Sequence, residues 1–207
     1  MKMAEYEQIK NLTYREYCDY LQIKYGIGRS DYMTKSWNKN LKCTRTNEGL
    51  FAHHKYEDHA ISLADKNFAR FEPFEWQEAI NIVYCDYLEH LLLHILICEY
   101  PARHRNPKEA VGIGGVINHI APLLNDYYSG WRSNLAWQTN CLNLIADDKD
   151  VYMVLLKRFK TNCKEYPLFT DTCLYTSYNE NFGGWSKEQN KKLFSEPIAS
   201  NTFACNS

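Results

Sequence analysis

"INIVYCDYLEHLLLHILICEY" (residues 80–100) contains a change of period. Its first four residues, Ile80, Asn81, Ile82 and Val83, are rich in β-branched side chains and have the length of a short strand. Asp86 then offers a carboxylate to the backbone three residues on, where Glu89 can reciprocate, the pattern of a capping box. Apolar residues continue from there without strand alternation until Pro101 ends the helix. The stretch therefore predicts a strand over 80–83 and a helix behind Asp86. On that helix His90 and His94 are four apart, so they share one face with Cβ atoms about 5–6 Å apart. That spacing lets two imidazoles chelate one divalent ion.

Upstream, "GLFAHH" (residues 49–54) reads as a second short strand ending in His53 and His54. Adjacent side chains on a strand point to opposite faces, so the two imidazoles have different partners. Short helices are predicted around 65–71 and 74–79, separated by Pro73. Thr13 and Glu16 form another capping box ahead of a helix that Gly26 ends. Downstream, "PARHRNPKEAVGIGG" (residues 101–115) is a basic, then Gly-rich linker. Helices follow near 116–127, 135–145 and 150–160, and the tail beyond Tyr166 has no clear period. The fold class is α+β and mostly helical. Three segments are expected, an N-terminal helical part (1–44), a central part (45–100) and a C-terminal helical region (101–207).

The 207 residues suit one domain with sizeable extensions, and 45% apolar content supports a real core. The formal net charge of −1 lacks the basic excess usual for proteins that live on nucleic acid. Any such binding must come from a local basic face, a metal or a basic partner subunit. The eight cysteines include no C-x-x-C pair, which excludes the usual thiolate zinc knuckle. The opening residues lack the apolar core of a signal peptide, so reduced thiols and a cytoplasmic location are expected. "LLLHILIC" is too short and too interrupted to span a bilayer.

The order His53-His54, Asn81, His90, His94 resembles the HNH nucleases, also called His-Me finger or ββα-metal nucleases, and most closely their colicin-type DNase branch. In that branch "HH" ends the first strand of a hairpin, an Asn lies on the second, and two histidines four apart lie on the following helix. The matching text is "AHH" (residues 52–54) and "NIVYCDYLEHLLLH" (residues 81–94), and the resemblance covers about residues 45–100. Two departures stand out. The gap between His54 and Asn81 is longer than the family pattern, so the hairpin carries an insertion, and no cysteine zinc site buttresses the fold.

The resemblance implies metal-dependent hydrolysis of DNA phosphodiester bonds. His54 would be the general base, Asn81 would orient it, and His53, His90 and His94 would hold one metal. Three nitrogen ligands favour Zn, Ni, Mn or Co over Mg, whereas a carboxylate from Glu57 or Asp58 would make Mg or Mn suitable. Arg45, Arg103, Arg105 and Lys108 are candidate phosphate contacts. His59, His104 and His119 fit no pattern, and "GIGG" (residues 112–115) reads as a flexible joint or a helix start. DNA is the expected partner, with RNA as an alternative substrate and no membrane. A homodimer or a protein subunit that delivers the substrate would suit an antiphage defence or mobile-element nuclease. The competing expectation is a non-catalytic module in which zinc stabilises a surface that binds protein or nucleic acid.

Overall fold

The computed structural model describes residues 1–166, 168–182 and 184–195. The fold is mixed α+β and mostly helical, with a single two-stranded antiparallel sheet among the described residues. Two N-terminal helices, α1 (Met3–Ile9) and α2 (Tyr14–Tyr25), lead into a turn-rich segment. The hairpin follows as β1 (Phe51–His54) and β2 (Ile82–Cys85), with the one-turn helix α3 (Lys66–Ala69) in the insertion between them. Then come α4 (Tyr87–Glu99), a π-helical stretch (Gly115–Ile120) running straight into α5 (Ala121–Tyr128), α6 (Ala136–Asn143), α7 (Lys149–Asn162) and α8 (Lys191–Ser195). No helix of the described residues is long and apolar enough to cross a membrane.

Both capping boxes form. Thr13 and Glu16 exchange hydrogen bonds at the start of α2, as do Asp86 and Glu89 at the start of α4. β2 lies two residues later than the apolar run suggests. Its register pairs His54 with Ile82 and Phe51 with Cys85, and residues 79–81 form a 3₁₀ turn ahead of it. Apolar character alone misplaced the strand: Ile80 is exposed in that turn, while Tyr84 and Cys85 are fully buried.

α4 is apolar on nearly every side and lies at the centre of the core. One hydrophobic cluster runs from Met1 through α2, the hairpin and α4 to Leu193, so the three expected segments share a single core. A smaller cluster of Tyr32, Met33, Cys43, Ala69 and Ile82 fills the opposite side of the hairpin. The seven described cysteines are free thiols, six of them buried, and Cys205 lies outside the described residues.

Candidate metal centre

Period-two alternation sorts the residues of β1. Phe51 and His53 face α4, where the His53 ring lies 5.2 Å from that of His90 and 5.3 Å from that of His94. His54 faces the other way, its ring 4.5 Å from that of Tyr32. The chain then turns sharply, with Glu57 N donating to the His54 carbonyl at 3.0 Å, and this brings the Glu57 carboxylate back over the strand end.

His53, Glu57, His90 and His94 form a cluster that could hold a metal ion, each offering one ligand atom within 4.8 Å of the others. His94 Nε2 is 3.2 Å from His90 Nε2, and Glu57 Oε2 is 3.5 Å from both His94 Nε2 and His53 Nδ1. Donors bound tetrahedrally at zinc-like lengths stand about 3.3 Å apart, so these separations fit one common ion. His53 Nδ1 is buried and makes no hydrogen bond, as an open ligand atom requires. Of the two carboxylates considered, Glu57 joins the cluster. Asp58 turns away to Arg15 at 3.0 Å and to the His59 ring at 2.8 Å.

Burial sets the charge state. It depresses the imidazole of His53 to about 3 and lowers those of His90 and His94 as well, so the rings are neutral, the form that ligates metals. Burial alone would raise Glu57, but the surrounding imidazoles of His53, His54 and His94 reverse this and hold it well below the usual carboxylate range.

Residues with no local sequence signal complete the site. Tyr14 Oη lies 2.9 Å from His53 Nε2 and 3.1 Å from the His54 carbonyl. Gly115, at the start of the π-helical stretch, lies against the His94 ring: a Cβ there would fall 2.4 Å from both His94 Cε1 and Nδ1. The "GIGG" segment is therefore a helix start, as one of its two readings had it, and a packing surface for a candidate ligand rather than a flexible joint. A run of small residues is the only signal the sequence carries for it.

Asn81 does not take the position expected of it. Because β2 begins at Ile82, Asn81 lies in the preceding turn, where its Nδ2 donates to the Glu75 carbonyl at 2.8 Å and its own carbonyl accepts from Lys55 N at 2.9 Å. The amide facing His54 belongs to Gln77, whose Oε1 is 3.1 Å from His54 Nε2 while its Nε2 donates to the Leu63 carbonyl at 3.1 Å. His54 Nδ1 lies 3.3 Å from Glu57 Oε1, and the whole His54 side chain is 0% exposed.

The expected phosphate contacts divide. Arg45 is held internally, donating to the Tyr25 carbonyl at 2.7 Å and pairing with Glu48 at 2.6 Å. Arg105 donates to the carbonyls of Asn106 and Glu109. Arg103 and Lys108 are exposed on a loop that Asn106 N ties to the His59 carbonyl at 2.8 Å. Comparison of the chain with protein-family models, with curated proteins and with solved structures found no match to any of them.

Proposed function

We propose that this protein is a metal-dependent endonuclease of the ββα-metal kind that hydrolyses phosphodiester bonds in DNA. The observation that carries the reading is the convergence of His53 from the hairpin with His90 and His94 from the following helix, their ligand atoms within 4.8 Å of one another together with that of Glu57. When bound, a divalent ion supplies positive charge to a non-bridging phosphate oxygen and to the leaving oxygen. The remaining roles fall to side chains. Leu63 fixes the orientation of the Gln77 amide, so its oxygen accepts from His54 Nε2–H. Gln77 thus takes the orienting role the resemblance assigns to Asn81. The other nitrogen, Nδ1, faces Glu57 Oε1. A carboxylate cannot donate, so this contact is satisfied once Nδ1 carries a proton. With both ring nitrogens engaged and the side chain wholly buried, His54 can serve as a base only if the site opens around it.

A groove of about 420 Å³ lined by Trp37, Lys39 and Lys66, among others, adjoins this side of the hairpin. Met33 in its wall follows Tyr32, which packs on His54, and Ala64 follows Leu63, which Gln77 holds. Its two lysines, partly offset by Asp65 in the same wall, are the candidate for the local basic face that a near-neutral nucleic-acid binder needs.

One observation favours a second reading. Four protein donors complete a tetrahedral set, and His54 is wholly buried, which is the form of a closed structural site. Plasmid nicking across Mg, Mn, Zn, Ni and Co, with parallel single-stranded DNA and RNA substrates, separates the two. For the nuclease, His54→Ala keeps its metal and loses about 10²–10⁴-fold in cleavage rate. A wild-type protein that holds metal yet leaves every nucleic acid intact supports the structural site instead.

A further inference from the structure

We propose that Tyr14 is a positioning residue that holds the His53 ring in the tautomer whose Nδ1 lone pair faces the cluster of Glu57, His90 and His94. This rests on the reading of that cluster as a metal centre and assigns a residue outside it a defined part. Tyr14 is the first residue of α2, and the capping box at Thr13 sets its backbone. Its side chain is 4% exposed, so the hydroxyl has no alternative in bulk water.

The hydroxyl has one proton. Besides the Cys18 thiol, whose S–H can donate to it, it has two neighbours. One is the carbonyl oxygen of His54, at 3.1 Å, which only accepts. The other is His53 Nε2, at 2.9 Å, which donates or accepts according to tautomer. Both contacts are satisfied only if Tyr14 donates to the carbonyl and accepts from Nε2–H. The proton is then on Nε2, and Nδ1 keeps its lone pair. Nδ1 is the His53 nitrogen that is buried without a hydrogen bond and lies 3.5 Å from Glu57 Oε2. Ligating histidines are commonly oriented in this way, by a hydrogen bond from the ring nitrogen that does not bind the metal. Without the hydroxyl, Nε2–H would lose its acceptor, and a proton on Nδ1 would gain Glu57 as one. The ring would then present an N–H where the ion needs a lone pair.

The same hydroxyl links both histidines of the adjacent pair. It holds the His53 ring and also the His54 carbonyl, the group that accepts from Glu57 N and sets the turn. Removing it disturbs two of the four candidate ligands together.

The test is long-range ¹H–¹⁵N correlation of the histidine rings in metal-free protein, for wild type and Tyr14→Phe, alongside Zn²⁺ titration against a competing chelator. Wild type is expected to show His53 as Nε2–H. The variant is expected to move the proton to Nδ1 and to bind Zn²⁺ about 10–100-fold more weakly. A wild-type His53 protonated on Nδ1 overturns the proposal, as does an Nε2–H tautomer retained in the variant. The wild-type spectrum decides even if the variant fails to fold. A wild type that shows Nε2–H but binds none of the metals would leave Tyr14 its role in setting the tautomer and would end the metal reading instead.

Discussion

At the scale of single residues, the adjacency of His53 and His54 separates their chemistry. One strand step turns one ring toward α4 and the other toward Gln77 and Tyr32. Among the described residues, Glu57 is the one carboxylate that reaches both, with Oε1 near His54 and Oε2 near His53. Gly115 is the complementary case, a position that matters for what it lacks. Gly115→Ala places a methyl group 2.4 Å from the His94 ring, which must move. The expected cost is about 1–3 kcal/mol of overpacking, together with weaker Zn²⁺ binding, read by thermal unfolding and by metal titration. Gly114→Ala is the control, since its nearest neighbour would be Asn118 Nδ2 at 3.7 Å. Equal behaviour of the two variants would show that the His94 ring has room to shift.

At the scale of elements, local signals and tertiary contacts share the work unequally. α2 and α4 start where their capping boxes place them, because those hydrogen bonds span only three residues. Thr13→Ala is expected to cost about 1 kcal/mol in urea unfolding, through the lost bond to Glu16 N. No measurable loss would mean that packing alone holds the start of α2. β2 is the opposite case. Its position is set by pairing with β1 and by Gln22 Nε2, which donates to the carbonyls of Ile80 and Ile82 at 2.9 and 3.0 Å. Neither constraint is visible in a four-residue apolar run. The shift of two residues removes Asn81 from the strand and leaves Gln77, within the 3₁₀ turn Phe74–Gln77, to face His54.

At the scale of the whole molecule, the centre lies inside one continuous core, and this couples stability to pH. Burial lowers the three imidazoles of the cluster below their unfolded value of about 6.5. The unfolded chain therefore takes up more protons as pH falls through that value. Their contribution is fully present above about pH 6.5 and is lost on acidification toward the folded values. Glu57, also lowered, acts in the same direction below about pH 4.5. Glu89, raised to about 7 by burial and Asp86, and Glu72, raised by burial and Glu109, act in the opposite sense, but they are two groups against three imidazoles. Metal-free protein is expected to be less stable to urea at pH 5.5 than at pH 7.5. Equal stability at the two would contradict neutral, buried rings. Saturation with Zn²⁺ at a hundred times Kd would add about 2.7 kcal/mol at the higher pH.

The chain order and spacing of the histidines marked His53, His90 and His94 as candidates that could meet, because His90 and His94 are bound by helix geometry and strand alternation separates His53 from His54. Helix starts and the central apolar helix were legible for the same reason: each depends on contacts a few residues apart, whereas the hairpin, whose strands pair Phe51 with Cys85 and His54 with Ile82, was expected only from the resemblance. Tertiary structure alone selected Glu57 over Asp58, because Arg15 on α2 draws Asp58 away. It alone brought Tyr14 to His53 across 39 positions and Gln77 to His54 across 23. It also set Gly115 against His94. These partners are fixed by which surfaces the shared core presses together, and no periodicity along the chain encodes a contact made at that distance.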